Sequence, residues 1–77
     1  MRIRRQNRDS FEGLIAGIER KRLYRTREVA ALLECSVRYV QLLVELGRLE
    51  ALRLGRAIRV PGHDLVRYIR TYRAWDD

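Results

Sequence analysis

The period of the hydrophobic pattern changes twice along this 77-residue chain, and those changes limit the folds open to it. Apolar residues first return every three to four positions, which is the helical period. From Leu52 to Val60 they return every second position, the period of a strand. From Leu65 the helical period resumes. A chain that alternates in this way is expected to be mainly α with a small β-hairpin.

Within the first helical stretch the pattern breaks twice. Ser10 is placed to cap a helix from Phe11 to about Arg22, with Phe11, Leu14, Ile15 and Ile18 on one face. Thr26 is placed to cap a second helix, from Arg27 to about Glu34, with Val29, Ala30, Leu32 and Leu33 inward. Glu28 falls in its first turn, where the helix dipole favours a carboxylate. Glu34-Cys35-Ser36 interrupts the period. Ser36 then caps a third helix from Val37 to about Leu46, with Val40, Leu43 and Val44 inward and Gly47 closing it. Two short helices joined by about three residues form a helix-turn-helix.

The hairpin follows. Leu52 and Leu54 share one face of the first strand, Ile58 and Val60 one face of the second. A three-residue loop, Gly55-Arg56-Ala57, pairs Leu54 with Ile58 and Leu52 with Val60, which keeps one face dry. A two-residue loop would mix the faces. The expected register sets Arg53 opposite Arg59, which is unfavourable unless an anion lies across them. Pro61-Gly62 ends the hairpin. His63 or Gly62 is expected to cap a last helix that buries Leu65, Tyr68, Ile69 and Tyr72 and carries Arg67, Arg70 and Arg73 on another face.

Charge narrows the function. Seventeen Lys and Arg against ten Asp and Glu leave a formal charge of +7. Sixteen of the seventeen are Arg, whose planar fork bonds two acceptors of a phosphate or a guanine at once. Residues 1–9 hold Arg2, Arg4, Arg5 and Arg8 and read as a flexible basic arm. The longest unbroken apolar run, Val29 to Leu33, falls far short of the roughly 20 residues of a membrane span. A nucleic-acid partner and a cytoplasmic, nucleoid-associated location are expected.

Catalytic chemistry finds no support. One Cys and one His make neither a disulfide framework nor a self-contained zinc site. Cys35 reads as a small buried hydrophobe in the turn between two helices. No carboxylate pair falls in an apolar setting and no glycine-rich phosphate loop is present. The expectation is a non-enzyme with no cofactor and no metal.

The stretch from Leu23 to Ile69 resembles the excisionase and MerR-like winged helix-turn-helix family. The resemblance is carried by Leu23-Tyr24-Arg25-Thr26-Arg27-Glu28-Val29-Ala30, Cys35-Ser36-Val37-Arg38-Tyr39-Val40, Gly47-Arg48-Leu49, Leu54-Gly55-Arg56 and His63-Asp64-Leu65. It implies a winged helix-turn-helix over residues 23–77, preceded by a helix over 10–22 and the arm over 1–9. It also implies that the second helix of the motif enters the major groove of DNA while the wing follows the minor groove or backbone. Ser36, Arg38, Tyr39, Gln41 and Leu42 then occupy groove-facing positions, Arg53, Arg56 and Arg59 the wing, and Arg25 and Arg27 reach backbone phosphate. Leu42 and Glu45 stand where a basic residue is common in the family, and Ala57 where the wing tip carries Arg.

About 14 residues, Asp64 to Asp77, follow the wing, too few for the long dimerisation helix of a MerR-type regulator. The shorter form resembles an excisionase, which binds repeated sites in several copies, bends DNA and directs an integrase toward excision. A small MerR-like transcriptional regulator is the alternative, and a protein-interaction adaptor that has lost DNA binding a third. On the excisionase reading, the Phe11, Leu14, Ile15 and Ile18 stripe either covers the winged-helix core or faces a neighbouring copy.

Overall fold

The computed structural model describes residues 8–76, with side chains over residues 12–71. In chain order the elements are α1 (Arg8–Ala16), β1 (Leu23–Arg25), α2 (Thr26–Leu33), α3 (Val37–Glu45), β2 (Leu52–Leu54), β3 (Ala57–Pro61) and α4 (Gly62–Asp76). The three strands form one antiparallel sheet in the order β1-β3-β2. The protein is mainly helical with a small sheet, as expected of a winged helix-turn-helix, and the sheet has one strand more than the hairpin.

The helix-turn-helix closes on itself by backbone bonds. Glu34 takes a left-handed conformation (φ 56°) at the end of α2, and the Cys35 N–H donates to the Ala30 carbonyl at 2.9 Å. Ser36 then accepts the Tyr39 N–H on its hydroxyl at 3.0 Å and starts α3. Gly47, at φ +77°, follows the end of α3 and lets the Arg48 N–H reach back to the Leu43 carbonyl at 2.9 Å. Only a residue without a Cβ enters that region at no steric cost.

α2 differs from expectation at its start. The cap residue is Arg25, and Thr26 is already helical. Glu28 reaches back to accept the Arg25 N–H at 2.8 Å, so the carboxylate in the first turn satisfies the backbone before the helix.

The N-terminal helix also differs. α1 ends at Ala16 rather than near Arg22. The Gly17 N–H folds onto the Gly13 and Leu14 carbonyls at 3.3 and 3.2 Å, and residues 19–22 leave the helix. They are used elsewhere. The Arg22 carbonyl accepts the Gly62 N–H at 2.8 Å and the Arg20 carbonyl accepts the His63 N–H at 3.1 Å. Main-chain oxygens thereby satisfy the first donors of α4, in place of the expected cap by His63 or Gly62. His63 instead lies exposed, its Nε2 3.6 Å from Asp64. Of the expected basic arm, Arg8 and Asp9 belong to α1 and the rest lies outside the described residues.

One core joins all of this. It contains Ile15 and Ile18, Tyr24 of β1, Val29 and Ala30 of α2, Val40 and Leu43 of α3, Leu49, Val60 of β3, and Leu65, Val66 and Ile69 of α4. Ile15 and Ile18 therefore cover the winged-helix core of their own chain. Tyr24, Leu49 and Val66 are core residues that periodicity did not single out. Tyr68 is half-buried, and the side chains of Phe11 and Tyr72 lie outside the described residues.

The hairpin register is a correction. Leu52 pairs with Arg59, Arg53 with Ile58 and Leu54 with Ala57, which leaves the two-residue loop Gly55-Arg56. Gly55 is at φ +67° and Arg56 is not left-handed, the pattern of a type II′ turn, whose twist matches that of the strands it joins. The three-residue loop was expected in order to keep one face of β2 dry. All of β2 is exposed, with Leu52 at 45% and Leu54 at 52%, so burial places no demand on its register.

Gly62 should tolerate no side chain. A Cβ there would overlap the Glu19 carbonyl oxygen and stand 2.8 Å from its carbon and 2.9 Å from the Arg20 Cα. Gly62→Ala is expected to cost about 2–3 kcal/mol, as forced overpacking against backbone does. A thermal melt should show a fall in Tm of about 10 °C or more for a domain of this size. An unchanged Tm would mean that the 19–22 segment is not held against α4.

Candidate nucleic-acid interface

Pairing of β1 with β3 decides where the charged side chains gather. The register sets Tyr24 opposite Val60 on the core side and Arg25 opposite Arg59 on the other. Because Arg25 is also the cap of α2, Arg27 follows two positions later beside it. The short turn of the wing brings Arg56 and Ala57 to the same place, and α3 contributes Gln41. Together Arg25, Thr26, Arg27, Gln41, Arg56, Ala57, Ile58 and Arg59 line an open cleft of about 310 Å³.

Four arginines and one glutamine thus line the same cleft. Among the described residues none of the four is paired with a carboxylate. Arg59 donates from Nη1 to the Ile58 carbonyl at 3.1 Å, which steadies the group and leaves its other donors available. The nearest acidic residue on these elements, Glu28, is turned away. Its Oε2 accepts from Arg22 at 2.9 Å, and the Arg22 guanidinium also stacks over the Tyr24 ring at 4.7 Å. The Tyr24 hydroxyl in turn accepts the Glu19 N–H at 2.9 Å.

The exposed side of α3 divides in two. Gln41 borders the cleft beside the wing. Tyr39, Leu42 and Leu46, at i, i+3 and i+7, form an exposed apolar ridge with 45, 43 and 61% exposure. Tyr39 lies toward a second groove of about 320 Å³, with Arg48, Glu50, Asp64, Arg67, Tyr68 and Thr71. Arg38 is exposed on the same helix.

Of the ten residues expected at the interface, the structure brings five together: Arg25, Arg27, Gln41, Arg56 and Arg59. Ser36, Arg38, Tyr39 and Leu42 are exposed on or at the start of α3 but do not line the cleft, and the Ser36 hydroxyl is engaged as the helix cap. Arg53 stands opposite Ile58, away from Arg59, so the opposed arginine pair expected within the wing is replaced by Arg25 and Arg59. Thr26, Ala57 and Ile58 also line the cleft and were not among the ten. Thr26 adjoins two expected residues, and Ala57 and Ile58 lie on β3 between Arg56 and Arg59.

Comparison with known proteins gives the class. Residues 23–73, about two thirds of the chain, match the family model of a helix-turn-helix domain. The chain belongs to that family, which includes excisionase-like DNA-binding proteins. The domain supports a DNA-binding role. No curated protein and no solved structure matches the chain. Among the described residues no helix is long and apolar enough to cross a membrane, and no group of three or more His, Cys, Asp and Glu could hold a metal ion.

Two further groups have shifted acidities. Burial pushes the Cys35 thiol up, which favours its protonated form. The Arg25 N–H, and after it the charges of Arg22, Arg25 and Arg27, hold the Glu28 carboxyl below its usual value. A depressed folded-state pKa adds stability that is present above the unfolded value and lost as pH falls through the folded one. Melts from pH 7 down to about pH 3, spanning the ordinary Glu pKa of about 4.3, should therefore show Glu28→Gln less stable at neutral pH and shallower in its acid decline. Parallel curves for variant and parent would remove Glu28 from the cap.

Proposed function

We propose that this protein is an excisionase-like DNA-binding protein. It occupies repeated duplex sites in several copies, bends the DNA and directs an integrase toward excision, with no catalytic step of its own. It acts in the cytoplasm at the nucleoid, the host's if the chain is phage-encoded. The observation that carries the reading is the cleft in which Gln41 of α3 sits among Arg25, Arg27, Arg56 and Arg59. A base-reading side chain framed by unpaired cations suits a duplex, where phosphates flank the base edges.

The roles divide by element. α3 enters the major groove, where Gln41 reads adenine, Arg38 reads guanine and exposed Leu42 meets a thymine methyl. Tyr39 and Ser36 lie at the start of the same helix. The wing, with Arg53, Arg56 and Arg59, follows the backbone or the minor groove.

Footprinting on the DNA that flanks the gene tests the whole reading. Several adjacent protected sites beside a recombinase gene are expected; one operator over a promoter would mean a transcriptional regulator, and no protection an adaptor. Gln41→Ala should relax preference at one base position, a loss of about 1–3 kcal/mol of discrimination. Uniform weakening on every sequence would make Gln41 a backbone contact instead. Arg56→Ala should flatten the slope of log K against log salt by about 0.9, the contribution of one phosphate. An unchanged slope would place the wing tip away from DNA.

A further inference from the structure

We propose that Arg25 and Arg59 form a two-armed clamp for a single tetrahedral oxyanion. Arg25 of β1 and Arg59 of β3 are direct partners in the strand register, share one face of the sheet and line the same open cationic cleft. The proposal deepens the DNA-binding reading and rests on it only for the source of the anion.

Residues directly opposite in an antiparallel pair have Cβ atoms about 4.5–5.5 Å apart, and like charges there are destabilising. β1 and β3 carry such a pair, Arg25 and Arg59. The Glu28 carboxylate feels the charges of Arg22, Arg25 and Arg27, but its ion pair is with Arg22, and among the described residues neither Arg25 nor Arg59 is ion-paired with a carboxylate. The strand pairing cannot relieve the repulsion by slipping, because a slip of one residue would turn buried Tyr24 and Val60 out of the core. The repulsion is therefore built in by the register that makes the core.

An oxyanion removes the cost. Each guanidinium presents a planar fork of donors, and charge-assisted bonds to phosphate or sulfate oxygens are about twice as strong as neutral ones. Two forks on one strand pair can take different oxygens of one tetrahedral group. Arg27 and Arg56 border the same cleft and add attraction from the sides. Arg53, on the edge strand opposite Ile58, has no part in the clamp. The ligand class is thus one phosphate or sulfate, supplied either by a backbone phosphate of a duplex or by the free anion.

Sulfate, added to the ¹⁵N-labelled full chain without DNA at ionic strength held constant with chloride, tests the clamp. Saturable shifts are expected at the Arg25, Thr26, Arg27 and Arg59 amides. Arg59→Gln and Arg25→Gln should each weaken the site by about tenfold or more, the scale of a lost charged hydrogen bond. Arg70→Gln removes the same charge from the exposed surface of α4 and should leave the site within about twofold. Shifts that do not saturate, or that weaken equally in Arg59→Gln and Arg70→Gln, overturn the clamp.

A melt separates the clamp from a merely structural arginine. In dilute chloride Arg59→Gln should melt no lower than the parent, because it relieves the opposed charges, while sulfate raises the Tm of the parent alone. A variant that melts lower and still responds to sulfate overturns the proposal. Binding of a duplex by both single variants and their double then assigns the source. A double variant that loses little more than either single one means one shared backbone phosphate. Additive losses beside a saturable sulfate site assign the clamp to free anion. A sulfate site in a protein that binds no duplex would sink the DNA reading and leave the clamp standing.

Discussion

Two backbone hydrogen bonds hold the molecule in its shape. The carbonyls of Arg22 and Arg20 accept the N–H groups of Gly62 and His63. They join the segment that leads into β1 to the first turn of α4, forty residues further along. Glycine at position 62 is the condition for them, because any Cβ would overlap Glu19. Once that clasp is closed, β1 lies beside β3, and Tyr24 meets Val60 in the core. α1 follows, carrying Ile15 and Ile18 over the same core. A chain of 77 residues has little interior, and these contacts extend it on a side that the helix-turn-helix alone would leave open.

The same clasp shapes the candidate interface. β1 is only three residues long, yet its last residue is both the strand partner of Arg59 and the cap of α2. A single position thereby ties the wing to the start of the helix-turn-helix. Gln41 on α3 completes the group, because α2 and α3 are locked by the left-handed Glu34 and the Ser36 cap. Charge concentrates on this side through geometry and not through a run of basic residues in sequence. Glu28 does not line the cleft: its two oxygens are held by Arg22 and the Arg25 backbone, so it forms no ion pair with the cleft arginines.

α3 shows a division of labour that composition obscures. Gln41 borders the arginine-lined cleft, while Tyr39, Leu42 and Leu46 form an exposed apolar ridge whose Tyr39 lines the groove beside α4. The helix carries little positive charge of its own. A recognition element of that kind depends on its flanks for electrostatic attraction, and the flanks supply it through β1, the start of α2 and the wing. Base discrimination and backbone attraction can then be assigned to different residues, which is the usual separation in duplex recognition.

The five expected residues that meet in the cleft came from the resemblance to the winged helix-turn-helix family, whereas local signals in the sequence were enough for α2, α3 and α4, the caps at Ser36 and Gly47 and the two strands of the wing. Those features depend on neighbours within one or two turns, where periodicity and capping chemistry act directly. Thr26 misled because an equally local bond, from the Arg25 N–H to Glu28, moved the cap back by one residue. Three matters were settled only in the folded molecule. α1 stops at Ala16 because residues 19–22 are bound to α4, a partner far away in sequence. Leu23–Arg25 is a strand because β3 is there to pair with it, and three residues carry no period of their own. The wing takes a two-residue turn because β2 stays in solvent on both sides, so the alternation of Leu52 and Leu54 imposes no register and the backbone preference of Gly55 decides. Opposition of Arg25 to Arg59 follows from the last two together: the sequence holds both arginines, and only long-range pairing puts them face to face.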